Sequence, residues 1–257
     1  MLYPAKAFLT FLINSKNQYG VHSPFLFDYM TKGLKNQGDI KWDNITSLRK
    51  ELERNNLEIE VTDFGAGSKV FKTNKRRIAD IAAKAGISKK RGKLLAKTVA
   101  YFKPQHILEI GSSLGMSTSY MALGNPEAQI TTLEGCPAIA EIAKENYFKL
   151  GFSNINMVVG QFEDSLDDVI ADQSFDLIFF DGNHQKKPTV TYFEKCLKLA
   201  HEDSVFIFDD IHWTEEMEAA WDHIRNHKKV SLSVDTYKWG LVFFHKGRGK
   251  EHFTLRI

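Results

Sequence analysis

Apolar positions along this chain fall into two regimes that change near residue 97. From there onward, short runs rich in Val, Ile and Phe alternate with helix-length amphipathic stretches. That is the pattern of a doubly wound sheet with helices on both faces. The expected strands are QHILEI (105–110), QITTLE (129–134), INMVVG (155–160), FDLIFF (175–180), VFIFDD (205–210), VSLSVD (230–235) and GLVFFH (240–245), with helices between the first six. Only TYKW separates the last two runs, too short for a crossover helix, so they are expected to pair as an antiparallel hairpin. The expected architecture is an α/β domain with a seven-stranded sheet ending in a C-terminal hairpin.

Residues 1–96 read differently. Helical patterns lie near 4–14, 25–35, 43–55 and 75–85, with a short β-like run LEIEV (57–61) and a glycine-bearing turn FGAGS (64–68). No internal repeat or low-complexity tract interrupts them. This part is expected to be a mainly helical N-terminal cap or lid on the sheet domain at 97–257. Within it, Pro24 of YGVHSPFLFDYM is placed to start a helix. His22 is a candidate acceptor contact, and no elbow motif surrounds Ser23 to make it a nucleophile.

Composition narrows the class. A 257-residue chain with 43% apolar residues can bury a sizeable core. No run approaches the roughly 18 to 20 apolar residues of a membrane span, and the opening MLYPAKAFLTFLIN lacks a strongly basic start and a clear cleavage site. The expectation is a cytoplasmic protein, with a homo-oligomer left open. Cys136 and Cys196 are the only cysteines and have no metal-type spacing, which argues against a disulfide framework or structural zinc.

The net charge of +2 conceals an asymmetry: Lys69 to Lys97 holds eleven Lys or Arg residues against Asp80 alone. Such a stretch reads either as a solvated helix face or as a surface for an anionic acceptor. Nucleic acid is disfavoured by the missing aromatic interleaving and the near-neutral total.

Two glycine turns compete for a ligand loop. A nucleoside-binding α/β unit needs glycine after its first strand and an acidic residue about 20 or more positions on, ending the second strand, to hold ribose hydroxyls. Gly111 is followed 23 residues later by Glu134 at the end of QITTLE, whereas the turn with Gly65 and Gly67 precedes a basic stretch and no second strand. A dinucleotide loop is excluded because Ser113 and Met116 stand where its second and third glycines belong.

The motif E-I-G-x-x-x-G-x-S, through Glu109, Gly111, Gly115 and Ser117, resembles the first motif of class I S-adenosylmethionine-dependent methyltransferases. The resemblance covers roughly residues 95–257 and implies a Rossmann-like fold. It is similar in particular to metal-dependent O-methyltransferases of the catechol and macrolide-sugar type. On that likeness Glu109, Gly111, Ser112, Gly115 and Ser117 belong to the cofactor loop, with Ser117 toward the methionine carboxylate. Glu134 would accept both ribose hydroxyls, and Gln161 and Phe162 would flank the adenine. Many members carry Asp where Gln161 stands.

Asp181, Asp209 and Asp210 each close an intensely apolar run, FDLIFFD and SVFIFDD. In a parallel sheet those ends share one rim, where three like charges repel unless a cation neutralises them. All-oxygen ligands suit Mg²⁺ above all, with Mn²⁺ or Ca²⁺ as substitutes. The alternative reading is strand-end aspartates that cap the next helix or turn. Macrolide-sugar O-methyltransferases carry a similar D-G-x-H and D-D, matching Asp181, Gly182, His184 and Asp209–Asp210. This resemblance implies His184 as general base, with Asp181 in the catalytic and cofactor sets. His212 and Trp213 are placed to line the acceptor pocket, and Tyr237 and Trp239 read as packing residues.

The expected activity is methyl transfer from S-adenosylmethionine to a small-molecule or glycan hydroxyl, assisted by a divalent metal. The alternatives are a metal-independent methyltransferase of RNA or protein, and a non-catalytic cofactor-binding protein. FFDGNH stands where base-amino methylases carry an N-P-P-Y-type tetrad, which counts against an amino-base acceptor.

Overall fold

The structure, a computed structural model, describes residues 2–35, 40–62, 74–171, 173–247 and 249–257. The front part contains α1 (Leu2–Asn14), α2 (Pro24–Asp28) continued by a π-helical stretch Tyr29–Leu34, α3 (Asp43–Leu52), β1 (Glu58–Glu60), β2 (Lys75–Arg77), α4 (Ile78–Lys84) and α5 (Lys89–Phe102). Pro24 does open α2, in the first turn, where its missing N–H costs no helical bond. The remainder alternates as β3 (His106–Ile110), α6 (Met116–Gly124), β4 (Gln129–Glu134), α7 (Pro137–Leu150), β5 (Ile155–Val159), α8 (Phe162–Val169), β6 (Leu177–Phe180), α9 (Lys186–Cys196), β7 (Val205–Asp209) and α10 (Glu215–Arg225). The chain closes with β8 (Leu232–Asp235), β9 (Trp239–Phe243) and β10 (Glu251–Thr254).

The large sheet has eight strands in the order β10-β8-β9-β7-β6-β3-β4-β5. The five strands from β3 to β7 are mutually parallel, and β9 runs antiparallel to both β7 and β8, as the hairpin pattern requires. All seven expected strands are present. The eighth, β10, lies parallel beside β8, and Lys16 bridges to Leu255 just beyond it. EHFT is short and half polar, so its pattern carries no strand signal; the unpaired edge of β8 recruits it.

A second correction falls in the front part, where the helix expected from residue 75 starts at Ile78. Residues Lys75–Arg77 pair instead with β1, setting Glu58 against Arg77 and Glu60 against Lys75. Opposite charges directly across an antiparallel pair stabilise that register, an interaction between segments that helical periodicity cannot register. The FGAGS turn lies outside the described residues.

Alternation along the strands divides the core between the two faces of the sheet. Ile107, Leu177, Phe179, Val205 and Ile207 join one apolar cluster, and Leu108, Ile178, Phe180, Phe206 and Phe208 join the other. The first cluster continues without a break into Leu26, Tyr29, Ile45, Leu48, Ile78 and Ile81 of the front part. The boundary expected at 96/97 falls inside α5, so the front helices and the sheet share one core.

The loop after β3 depends on Gly111. Its φ is +98°, and a Cβ there would stand 2.6 Å from the Asp181 carbonyl oxygen. Gly111→Ala is therefore expected to lower stability by about 1–3 kcal/mol. Thermal unfolding should record this as a midpoint lowered by roughly 2–4 °C per kcal/mol.

Candidate active site

Winding reverses at β3, which has β4 on one side and β6 on the other. A crevice opens outside the carboxyl ends of strands at such a reversal. Here the loops after β3 and β6 emerge side by side, and Asp181 N–H donates to Ile110 O at 2.9 Å. The β3 loop folds back onto the end of β4: Ser113, at φ +48°, donates its N–H to Glu134 Oε2 at 2.9 Å. Glu134 Oε1 accepts from Cys136 N–H at 2.9 Å. Burial raises the pKa of Glu134, and these backbone donors partly offset the shift.

These groups border a cavity of about 320 Å³, within the ordinary range for small-molecule sites. Gly111, Ser113 and Glu134 form part of its wall, and Gln161 and Phe162 a second part. Asp181, Asn183 and His184 border the same space. The glycine loop and Glu134 thus share one surface. Glu134, a carboxylate on that surface with two oxygens that can each accept more than one hydrogen bond, suits a pair of vicinal hydroxyls.

Other residues assigned to the loop stand behind the wall. Glu109, Ser112 and Ser117 are buried and do not border the cavity, nor does Gly115. The Ser117 side chain bonds to Glu109. Thr118 and Thr132 also donate to Glu109 Oε2, Thr132 at 2.6 Å, and Thr118 meets the Tyr147 hydroxyl at 2.9 Å. Burial nevertheless pushes the Glu109 carboxyl up to about 7. Glu109 Oε1 has no hydrogen-bond partner among the described residues.

The three aspartates do converge. Burial, and then the neighbouring charge of Asp209, hold Asp181 well above the ordinary carboxylate range. Into the cluster comes Arg91, from the first turn of α5. Its Nη1 lies 2.6 Å from Asp209 Oδ1 and 3.8 Å from Asp210 Oδ1, and Lys238 Nζ lies 3.2 Å from the same Asp210 oxygen. Three carboxylates are a hard donor set that Mg²⁺ accepts. As placed, however, protein cations balance them, and among the described residues no three His, Cys, Asp or Glu side chains are arranged to hold a metal ion.

Asn183 and His184 both have positive φ, +69° and +28°, and Asp210 has +51°. Backbone strain of this kind collects at functional sites. The bend puts His184 Nε2 3.7 Å from Asp181 Oδ1, with the imidazole edge-to-face on Trp213 at 5.6 Å between centroids.

His212 and Tyr237 serve another end. His212 Nε2 lies 2.8 Å from Asp235 Oδ2 and its Nδ1 3.2 Å from Glu218 Oε2, while its ring stacks on Tyr237. Tyr237 in turn donates to Pro4 O at 2.8 Å and packs on Phe8 and Phe11, fastening α1 to the sheet domain. His22 borders a shallow depression apart from the cavity.

Four wall residues, Val61, Thr62, Arg76 and Ala85, come from the front part, and Tyr192 from α9. None carries a local motif, because their placement is a product of tertiary packing. Arg91 did leave a trace. Basic residues in a first helical turn oppose the helix dipole, and Lys89, Lys90 and Arg91 in succession imply an acidic partner elsewhere.

A family model described as O-methyltransferase matches residues 69–236. The chain is 32% identical over 127 residues to a catechol O-methyltransferase of Mycobacterium tuberculosis, covering 49% of this chain and 56% of that protein. It spans little more than half the length of the curated relatives it matches first. A crystal structure of an O-methyltransferase from Bacillus cereus in complex with SAH superimposes with a TM-score of 0.54 at 25% identity, over 62% of this chain and 83% of that one. A SAH-bound Podospora anserina methyltransferase superimposes with a TM-score of 0.63 at 17% identity, over 87% and 97%, a likeness of fold.

Glu109 supplies a pH test. Between its ordinary value of 4.5 and about 7, the folded protein keeps a proton that the unfolded chain has released, so stability falls as pH rises through that window. Glu134 and Asp181, also raised by burial, add falls of the same sign, so Glu109→Gln should make the loss of stability between pH 4.5 and about 7 shallower without abolishing it, which urea unfolding at several pH values would measure.

Proposed function

Because the chain belongs to the O-methyltransferase family, we propose that it transfers the methyl group of S-adenosylmethionine to a hydroxyl oxygen of a small-molecule acceptor. One observation carries the reading: Gly111, Ser113 and Glu134 border the same cavity as Asp181 and His184. Nucleoside-binding and proton-accepting groups therefore face one space.

When bound, S-adenosylmethionine supplies a methyl carbon on a positively charged sulfur. Glu134 accepts the ribose hydroxyls, as the second-strand carboxylate of such units does. Gln161 and Phe162, which border the same cavity, would flank the adenine. His184 takes the acceptor's hydroxyl proton as general base, with Asp181 Oδ1 3.7 Å from its Nε2. The displacement then needs chiefly an aligned oxygen. Val61, Thr62, Arg76 and Ala85 of the front part wall the cavity on one side.

A second reading gives Asp181, Asp209 and Asp210 to a divalent cation in place of the Arg91 guanidinium, favoured by the convergence of the three carboxylates. Mg²⁺ titrated calorimetrically into the wild type is expected to give no saturable heat. A saturable heat lost in Asp209→Ala would favour this second reading.

The cofactor assignment is tested with S-adenosylhomocysteine. Charge-assisted hydrogen bonds contribute about 1.5–3 kcal/mol, so Glu134→Ala should weaken calorimetric binding roughly tenfold or more. Undiminished binding in a folded Glu134→Ala variant would contradict the assignment.

A further inference from the structure

Beyond the acidic rim lies a larger cavity, about 760 Å³, that the transfer site does not use. Its floor is apolar, made of Met30, Leu34, Leu94, Trp239 and Ile257. No acidic residue borders it, yet seven lysines and arginines do. Four of these have partners. Arg91 and Lys238 pair with Asp209 and Asp210, Lys97 donates to Leu34 O at 3.0 Å, and Lys93 lies 4.9 Å above the Trp42 ring. Lys35, Lys90 and Arg256 have no acidic partner among the described residues, although all three are exposed at the rim. Trp239, 1% exposed, adds a buried Nε1 donor with no hydrogen-bond partner among the described residues.

Lys35, Lys90 and Arg256, which have no acidic side-chain partner among the described residues, repel one another, and an anion bound among them relieves that repulsion. The apolar floor asks for something more than a bare anion, since only a hydrocarbon surface gains by covering it. Geometry also ties this space to the transfer site. Arg91 and Lys238 border the cavity and hold Asp209 and Asp210, and Asp209 stands directly across the β7–β9 ladder from Trp239. The basic cavity and the cofactor cavity therefore meet on the two sides of the aspartate cluster.

We infer that this second cavity is the acceptor site, and that the acceptor is an amphiphile with an apolar body and a phosphate group. The hydrocarbon covers Leu34, Leu94 and Ile257, and the phosphate reaches Lys35, Lys90 and Arg256. The hydroxyl to be methylated points past Arg91 to Asp181 and His184. This rests on the methyltransferase reading and names its substrate class. A volume of about 760 Å³ suits a small molecule or one lipid headgroup with part of its chain. With no exposed aromatic residue on its wall, the cavity offers no stacking platform for single-stranded nucleic acid.

The test uses octyl phosphate, octanol and inorganic phosphate as calorimetric probes of the wild type and a Lys90→Gln/Arg256→Gln double variant. Neither substitution touches the aspartate cluster or the cofactor cavity. Octyl phosphate is expected to bind the wild type at least tenfold more tightly than either octanol or inorganic phosphate, and the double variant at least tenfold more weakly. S-adenosylhomocysteine binding in the same variant should be unchanged, which certifies the fold and reads the cofactor site separately. Displacement of octyl phosphate by phosphatidic acid vesicles, but not by a soluble sugar phosphate, would make the natural source a membrane lipid. Displacement by the sugar phosphate alone would make it a soluble ester, and both results uphold the phosphate chemistry. Equal octyl phosphate affinity in wild type and double variant, or no binding to either while S-adenosylhomocysteine binds, would overturn the acceptor assignment and leave the cofactor assignment standing.

Discussion

The site depends on a close approach of two backbones at the point where the sheet reverses its winding. Gly111 and the Asp181 carbonyl come so near that no side chain fits between them, and glycine at φ +98° is what permits it. Because β3 and β6 are neighbours, the loop that meets Glu134 and the loop that carries His184 leave the sheet together. Residues of both loops therefore border one cavity.

Electrostatics is the second constraint. Three aspartates at one rim are unfavourable alone, and the chain answers with Arg91 and Lys238. Arg91 stands in the first turn of α5, where the helix dipole disfavours a cation, so its position makes sense only with Asp209 opposite. Local preference yields there to the needs of the site, as it does at Asn183, His184 and Asp210 with their left-handed backbones. The same cations turn a second face toward the large basic cavity, so one set of charges serves both sides of the aspartate cluster.

Much of this was legible in the chain itself. Apolar runs of β-branched and aromatic residues located inner strands β3, β6, β7 and β9, because a strand buried on both faces is apolar along nearly its whole length, while β-branched and hydroxyl residues between turns marked β4, β5 and β8. The interval from Gly111 to Glu134 located two elements that border one cavity, since Gly111 follows the first strand and Glu134 ends the second strand of one βαβ unit. Ser117 was less transparent: spacing puts it on the loop's helix, and only the packing shows that it bonds to Glu109 behind the wall. Likewise β2 and β10 owe their existence to partners distant in sequence, and Val61, Thr62, Arg76 and Ala85 reach the cavity through tertiary packing. The basic run was visible as charge, but not that Arg91 turns inward while Lys90 remains at the cavity rim.

Amide hydrogen exchange with and without S-adenosylhomocysteine tests the central claim most directly. Slowed exchange is predicted at 111–113, 134–135 and 161–163, three of the segments that line the cavity. Protection confined to other segments, or none at ligand concentrations that saturate binding, would contradict the account.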